Sequence, residues 1–367
     1  MKSVDVLVIG GGIAGISAAA RLAEHLSVLV LEMEEHTGYH ASGRSAALFV
    51  RNYGNDVLRV LNGASAGFLE EPEGVSDQSI LSPRGELTVA NADQLAELQD
   101  YVAGATGMEW LSPAEAREIV PALRDDYVVG AAIEWDAQDM DVDRLLAGFT
   151  RLLRDRGGRI LTKAKVQSMT RSDGVWQVAS GEETYEAPIV INAAGAWAAQ
   201  IGQMAGGLNT GVVPYRRSAA MIPMPDGIEF ARWPMVASAG LDWYARPEGG
   251  RLMVSPEDED AVEAHDAWAD DMVLAEGLYR FEQALDIPVT RVEHSWAGLR
   301  SFAPDRTPVV GFDPQAEGLF WLAGQGGYGI QTAPALSQLA CDLVMRRDPV
   351  LGSEIVMALD PVRFAGA

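Results

Sequence analysis

A glycine turn near the start of the chain constrains the fold more than any other feature. The apolar run at residues 4–9 predicts a strand buried on both faces, and Gly10, Gly12 and Gly15 follow it in GxGxxG spacing before an alanine-rich helix. Gly10 permits the tight turn, Gly12 lets the backbone approach a pyrophosphate, and Gly15 lets the helix pack closely on the strand. This arrangement predicts a dinucleotide site at the N-terminus of the helix.

An acidic residue at the end of the next predicted strand extends this site. The strand at 28–31 ends in Glu32, about 20 residues after the turn, where a carboxylate can accept hydrogen bonds from an adenosine ribose. No arginine follows Glu32 directly, which disfavours a 2′-phosphate and leaves FAD or NAD. Ile13 and Ala14 begin the helix and are expected to contact the same ligand. The alternative is a glycine turn in some other parallel sheet.

Composition excludes several functional classes. The 367 residues suffice for two domains, and the formal net charge of −24 disfavours nucleic acid and anionic lipid as partners. The single Cys341 excludes an internal disulfide, and the five histidines show no metal-binding spacing. We expect no metal, no membrane-spanning segment, since no apolar run approaches about 20 residues, and a cytoplasmic location.

A segment of small residues follows Glu32. The stretch at 38–47 can run close to a planar cofactor, and its side chains offer donors for a pyrophosphate and a ring system. A plain loop is the alternative. The expected cofactor contacts here are Ser42, Gly43, Arg44, Ser45 and Ala46.

The last third of the chain contains a second GxGxxG at 324–329. A second dinucleotide site is rejected, because only 38 residues follow and no later strand ends in an acid. The helix predicted at about 331–346 instead points its positive N-terminus at the first site, where reduced flavin carries negative charge, and this favours FAD over NAD. The expected contacts are Gly326, Gly327, Tyr328, Gly329, Ile330, Gln331 and Thr332.

The remaining pattern predicts an α/β chain with two interleaved domains. A buried strand at 188–192 returns the chain to the first sheet, and we expect cofactor contacts from Val166, Ala194, Gly195 and Trp197. Alternating strands between 209 and 295 predict an antiparallel sheet. We therefore predict a Rossmann-like FAD-binding domain of the glutathione-reductase type, formed by residues 1–84, 141–208 and 296–367. An α+β substrate domain comprises residues 85–140 and 209–295.

These motifs resemble the D-amino acid oxidase superfamily of FAD enzymes. The resemblance rests on the N-terminal glycine turn with Glu32, the strand end at 192–197, and the segment 298–311 with its glycine-rich sequel. Segments 38–47, 216–219, 262–266, 296–302 and 325–332 are similar to the bacterial D-arginine dehydrogenases. The resemblance implies non-covalent FAD and oxidative deamination of a D-amino acid to a 2-oxo acid and ammonia.

The resemblance also implies roles for five side chains. Arg300 would bind the substrate carboxylate as a fork and lie near the cofactor, with the Tyr53 and Tyr244 hydroxyls over the substrate. Arg217 matches a second active-site arginine, although it could instead pair with an interior acid. Glu86 matches the carboxylate that meets the cationic end of D-arginine or D-lysine.

Two departures from this pattern widen the expected substrate range. Leu48 stands where the resembled proteins have a histidine, and Val50 replaces a polar residue, so the pocket is expected to be more apolar. One alternative is oxidation of N-methyl or cyclic amino acids such as sarcosine or proline, some of whose enzymes attach flavin to a cysteine. Another is a flavoprotein subunit that relays electrons. O2 and a quinone-type acceptor both stay open.

Overall fold

The computed structural model describes residues 2–366, and a six-stranded sheet carries the glycine turn. The sheet is parallel apart from its last strand, which pairs antiparallel with its neighbour. In spatial order its strands are Arg159–Leu161, Val28–Leu31, Val6–Ile9, Ile189–Asn192, Leu319–Ala323 and Val309–Phe312. The strand predicted at 188–192 thus lies beside the first strand, in the first sheet as expected.

Local sequence signals account for most of this first unit. All four residues of strand Val6–Ile9 are buried, and helix Ile13–Leu22 starts directly after the glycine turn. Helix Gly329–Val344 packs on Ile13–Leu22 and on Asp56–Glu70. The carboxyl ends of the parallel strands therefore meet two helix N-termini at one edge.

Two smaller sheets flank the first one. A hairpin turns at residues 173–174, with Asp173 and Gly174 both at positive φ, as a tight two-residue turn requires. The four-stranded sheet contains Lys2–Ser3, Glu183–Ala187, Val175–Ser180 and Val166–Ser172. The three-stranded sheet contains Leu48–Phe49, Gln138–Met140 and Leu81–Pro83.

A nine-stranded second sheet forms the other half of the molecule. It is antiparallel except where Glu86–Ala90 pairs in parallel with Met235–Ser238. Its path runs through Asp260–Ala261, Val213–Ile222, Arg251–Ser255, Tyr244–Glu248, Met235–Ser238, Glu86–Ala90, Gly130–Glu134 and Glu109–Leu111, and His294–Phe302 pairs with Val213–Ile222.

The two faces of the second sheet differ because side chains alternate along each strand. One face, with Leu87, Val236 and Val254, packs against helix Asp271–Ala284. The opposite face carries Tyr244, Arg300 and other side chains that meet the first unit. We call this second surface the site face.

The helices include the two that the sequence predicts, after the glycine turn and at about 331–346. Their bounds are Ile13–Leu22, Asp56–Glu70, Leu95–Ala103, Pro113–Ile119, Val142–Asp155, Ala198–Met204, Asp271–Ala284, Gly329–Val344 and Ser353–Leu359. Helix Asp271–Ala284 lies in the region 209–295, where only strands were expected. Strand Glu109–Leu111, a short edge strand whose first two side chains are exposed, precedes Pro113–Ile119, which Ser112 and Glu115 begin with a capping box.

The strand that carries Arg300 crosses a predicted domain boundary. His294–Phe302 pairs along its whole length with Val213–Ile222 in the second sheet. The boundary expected at residue 296 therefore falls inside a strand, and the division of the chain into domains stays a prediction. A sheet edge filled by a distant segment leaves no break in composition that marks it.

Candidate active site

A long cleft lies between the carboxyl edge of the first sheet and the site face of the second. Its empty space, counted with the mouth open to solvent, is about 1790 Å³. Of the residues expected to contact a cofactor, the cleft is lined by Gly10, Gly12, Ile13, Ala14, Glu32, Ser42, Arg44, Ser45, Ala46, Val166, Ala194, Gly195, Trp197, Arg300, Gly326, Gly327, Gly329 and Ile330. Most of the predicted set is thus brought together in one place.

The glycine turn packs closely on neighbouring backbone at Gly10 and Gly15 and is open to the cleft at Gly12. A Cβ on Gly10, whose φ is +109°, would lie 2.3 Å from Ala193 O, and one on Gly15 would lie 2.0 Å from Gly10 O. At Gly12 a Cβ would meet only Ser42 Oγ, at 3.3 Å, so that side of the turn is open to the cleft. These contacts agree with the three roles that the spacing predicted.

Glu32 is fixed by backbone donors at the end of its strand. Its Oε2 accepts from Gly11 N at 2.6 Å and its Oε1 from Glu34 N at 2.8 Å. Each carboxylate oxygen has a second lone pair. The oxygens are therefore oriented at the cleft wall with capacity left for a diol.

Arg44 lines the cleft but is held by the protein. Its guanidinium donates to Ala267 O at 2.7 Å, to Ala297 O at 2.9 Å and to Asp266 Oδ1 at 2.5 Å. These bonds connect its segment to the strand that carries Arg300. The predicted role of Arg44 as a donor to a pyrophosphate is untested.

Four of the expected cofactor residues do not line the cleft: Gly43, Tyr328, Gln331 and Thr332. The Gln331 amide instead exchanges two hydrogen bonds with the backbone of Val50, at 3.2 and 3.3 Å, and Thr332 Oγ1 donates to Tyr328 O at 2.8 Å. The helix rotates successive residues by about 100°, so Gly329 and Ile330 face the cleft while the next two face the interior. Val50 acts here through its backbone.

Arg300 is the central charged group on the site face. Within the described part of the chain its guanidinium forms no ion pair, and Tyr53 Oη lies 3.5 Å from Nη1. Burial opposes the charge, but the Tyr53 and Tyr244 hydroxyls and the Glu257 carboxylate raise the pKa of Arg300 above its ordinary value. The side chain therefore presents a permanent cation to the cleft.

The two tyrosines differ in their position. Tyr244 lines the cleft beside Arg300. Tyr53 lies behind Gly327, reaches Arg300 with its hydroxyl, and packs edge-on against Tyr328 with ring centroids 4.6 Å apart. Burial raises the pKa of the Tyr53 hydroxyl, so this group is a neutral donor.

Arg217 also lines the cleft, but it has an acidic partner. Its Nη1 lies 3.3 Å from Glu257 Oε1 and its Nε donates to Asp258 O at 2.8 Å. The interior pairing that the sequence left open is the one observed.

Leu48 belongs to an apolar cluster on the site face. Leu48 and Trp296 pack against buried residues that share this face, namely Ala219, Met235, Ala237, Tyr244 and Met253. The apolar character expected from Leu48 is thus present in its surroundings.

Glu86 lies on the site face of the second sheet, since its partner in the parallel register is Met235. It is buried, does not line the cleft, and lies directly opposite Glu134 in the strand register. Burial and the carboxylates of Glu134 and Glu257 raise the pKa of Glu86 to about 8. Within residues 2–366 its Oε2 has no hydrogen-bond partner. Its role towards the cationic end of a substrate stays a prediction.

Several lining residues were missed by the sequence reading, including Gly11, Met33, Gln200, Met253 and Trp296. The sequence contained a signal for Gly11, because this residue lies inside the GxGxxG turn, and in the structure its N–H donates to Glu32. Trp296 stood in a segment quoted for the resemblance. The others carry no local pattern that separates them from core residues.

Residues 5–343 match the family profile described as FAD dependent oxidoreductase. The chain belongs to this family. Its cofactor is FAD, and the open side of Gly12, the Glu32 oxygens and the helix that begins at Gly329 are the features of the cleft that fit it. Cys341 is buried within helix Gly329–Val344 and does not line the cleft.

Several proteins similar in sequence to this flavoprotein have names that refer to the oxidation of glycine or its N-methyl derivatives. Human mitochondrial dimethylglycine dehydrogenase is 24% identical over 391 residues, covering 98% of this chain and 44% of the relative. Mouse mitochondrial sarcosine dehydrogenase is 27% identical over 366 residues, covering 92% of this chain and 39% of the relative. The chain thus spans less than half the length of these two. Glycine oxidase of Geobacillus kaustophilus is 27% identical over 367 residues, covering 94% and 93%.

Solved structures share the fold of this oxidoreductase. Glycine oxidase from Geobacillus kaustophilus superposes with a TM-score of 0.85 at 22% identity and covers 99% of each chain. L-proline dehydrogenase from P. horikoshii gives 0.83 at 22% identity, with 99% of this chain and 98% of that chain covered. The predicted α/β fold with an FAD-binding unit is confirmed.

Among residues 2–366, no helix combines the length and apolarity that crossing a bilayer requires. The same residues contain no group of three or more His, Cys, Asp or Glu side chains arranged to hold a metal ion.

Proposed function

We propose that this flavoprotein oxidises the amine of a small amino acid, of the glycine or N-methylglycine type, held by its carboxylate. The observation that carries the proposal is Arg300, a half-buried cation on the cleft that forms no ion pair in the described part of the chain. A guanidinium offers two parallel donors that match a carboxylate, which fixes the neighbouring carbon in position.

The names of the relatives support this substrate class. Glycine oxidase matches nearly its whole length, and the sarcosine and dimethylglycine dehydrogenases match over almost all of this chain. D-arginine and D-lysine, whose side chains are cationic, receive less support, because Leu48 lies in an apolar cluster and the relatives are named for substrates without a charged side chain.

The chain's own groups would work as follows. Arg300 would hold the carboxylate, with the neutral Tyr53 hydroxyl donating beside it, while Tyr244 lines the other side. The apolar cluster around Leu48 and Met253 would exclude water and favour the neutral form of the amine. Bound FAD would supply the two-electron hydride acceptor for the carbon beside the neutral amine nitrogen, and water would hydrolyse the resulting iminium product to a carbonyl compound and an amine or ammonia.

A second candidate is oxidation of D-amino acids with apolar side chains. The same cluster supports it, because Met253, which lines the cleft, would contact an aliphatic side chain. An electron-relay subunit without a substrate is the weaker reading, since Arg300 and Tyr244 face the cleft.

The test is anaerobic reduction of the FAD-loaded protein, followed by its absorbance at about 450 nm. The compounds are glycine, sarcosine, dimethylglycine, L-proline, D-leucine, D-methionine and D-arginine. We expect the fastest bleaching with glycine or sarcosine. Faster bleaching by D-leucine or D-methionine would favour the second candidate, and no bleaching by any compound would refute both.

The carboxylate anchor is tested by Arg300→Met. Losing two charge-assisted bonds should lower kcat/KM by more than about 100-fold, which corresponds to roughly 3 kcal/mol. Arg291→Met is the matched control, because Arg291 is exposed and pairs only at the surface with Glu293. Equal kcat/KM values in Arg300→Met and wild type would remove the anchor.

A further inference from the structure

An acidic side chain stands behind the cleft beside one of its two arginines. Glu257 and Arg217 are nearly buried, each with 11% of the side chain exposed, and Glu257 Oε1 lies 3.3 Å from Arg217 Nη1. The charge of Arg217 is therefore matched within the chain. Arg300 forms no ion pair among the described residues, although Glu257 is near enough to favour its charged form, so two arginines and one carboxylate leave a single positive charge in excess.

The position of Glu257 is determined by its neighbours. Asp258 Oδ1 accepts from Ser218 N at 2.6 Å, and its Oδ2 accepts from Ser218 Oγ at 2.9 Å, which ties this segment to strand Val213–Ile222. Glu257 itself has φ +55° and donates its N–H to Ser255 Oγ at 3.1 Å. A non-glycine residue keeps this backbone conformation only where its surroundings enforce it. These bonds therefore hold the Glu257 side chain beside Arg217.

Burial raises the pKa of Glu257, while the charges of Arg217 and Arg300 oppose that shift and favour its carboxylate form. One oxygen of this carboxylate, the buried Oε2, has no hydrogen-bond donor in the part of the chain that the structure describes. A second anion brought next to Arg217 would meet this oxygen in a region of low polarity, where like charges repel strongly.

We infer that Glu257 is a specificity-determining residue that restricts the cleft to substrates with a single carboxylate. By neutralising Arg217 it removes the second cation that a dicarboxylic amino acid requires, and its free oxygen repels the second carboxylate. The inference rests on the proposed function, in which Arg300 holds the first carboxylate.

Calorimetric titration of the FAD-loaded protein with propionate and malonate tests the inference without turnover. The two acids have the same number of carbon atoms and differ by one carboxylate. We expect wild type to bind propionate at least tenfold more tightly than malonate. Glu257→Gln frees Arg217 and should shift the ratio of the two Kd values at least tenfold towards malonate, whereas Glu257→Asp, which keeps the charge, should retain the wild-type preference.

Glu259→Gln is the matched control, because Glu259 lies in the same segment and pairs with Arg306, outside the cleft lining. Its ratio should equal that of wild type. An unchanged ratio in Glu257→Gln, or a wild type that prefers malonate, would overturn the inference. If Glu257→Gln does not retain FAD, the ratio of the propionate and malonate Kd values in wild type decides whether the inference stands.

The test separates this inference from the proposed reaction. If no amine reduces the flavin but Glu257→Gln shifts the ratio as expected, the reaction is wrong and the charge assignment stands. If amines reduce the flavin and the ratio is unchanged, the reaction stands and the role of Glu257 is wrong. Binding of neither acid to wild type would overturn both.

Discussion

The two walls of the cleft recognise their ligands by different means. The wall from the first sheet is made of backbone: glycines without room for a Cβ, a helix N-terminus, and Glu32 held by two backbone N–H groups. The wall from the second sheet is made of side chains, with Arg300 and Arg217 on adjacent paired strands and Tyr244 further along the sheet.

This difference separates recognition of the cofactor from selection of the substrate. A backbone wall tolerates little change where a Cβ would meet neighbouring backbone atoms, as at Gly10 and Gly15. A side-chain wall can change its charge through one residue such as Glu257 while the sheet beneath it stays the same. We therefore expect changes in the first wall to affect folding and FAD binding, and changes in the second to affect the substrate.

Gly15→Ala is the strongest way to break the first wall. Its Cβ would lie 2.0 Å from Gly10 O, so either the helix or the turn must move. We expect a loss of at least about 3 kcal/mol in stability, together with loss of FAD, as measured by the flavin-to-protein ratio and by urea unfolding. The control is Gly67→Ala in helix Asp56–Glu70, where a Cβ meets nothing within 4 Å and should stabilise by about 0.5 kcal/mol. Equal FAD content in Gly15→Ala and wild type would contradict the fit.

The same division explains what the sequence could predict. The glycine turn, Glu32 and the strand at Ile189–Asn192 were predictable because strand, turn and helix signals lie within a few residues of each other. Glu257 was not predictable, because its role depends on pairing across strands far apart in the chain. Tyr53 came only from the resemblance, and its contact with Arg300 spans 247 residues.

Arg44 and Glu86 show which part of a predicted role the sequence leaves open. Residue type and position were available from the sequence, but the partners were not. The guanidinium of Arg44 is held by Asp266 and backbone carbonyls, and Glu86 lies opposite Glu134 in the strand register. Hydrogen-bond partners are decided by tertiary packing, which local patterns do not encode.

Glu86→Gln sharpens the comparison, since it tests a buried acid of the second sheet that lies outside the cleft. The native pKa of about 8, against 4.5 as its ordinary value, means that the folded protein holds a proton which the unfolded chain has released. Stability should therefore fall as pH rises from about 5 to 8, by at most about 1.4 kcal/mol per pH unit.

The glutamine variant has no such proton, so its stability should depend less on pH and exceed that of wild type at pH 9. Urea unfolding at pH 5, 7 and 9 measures the difference. Glu97→Gln, at an exposed position in helix Leu95–Ala103, should follow wild type. Parallel pH curves for Glu86→Gln and wild type would mean that Glu86 is charged in the fold. A large loss of substrate binding in the variant would instead place this carboxylate at the site.

Trp296→Phe tests the contact between the two walls and has the smallest expected effect. Trp296 belongs to the second sheet, and its Nε1 donates to Arg44 O, at 3.2 Å, in the segment that lines the first wall. Phenylalanine keeps most of the apolar contact and loses this bond, so about 1 kcal/mol of stability should be lost. FAD should dissociate faster while the carboxylate preference stays the same. Trp268→Phe, with the tryptophan 72% exposed, should change neither property. The carboxylate preference could instead change while FAD dissociation stays the same. Trp296 would then act on the substrate side of the cleft, and its hydrogen bond to Arg44 O would not contribute to FAD binding.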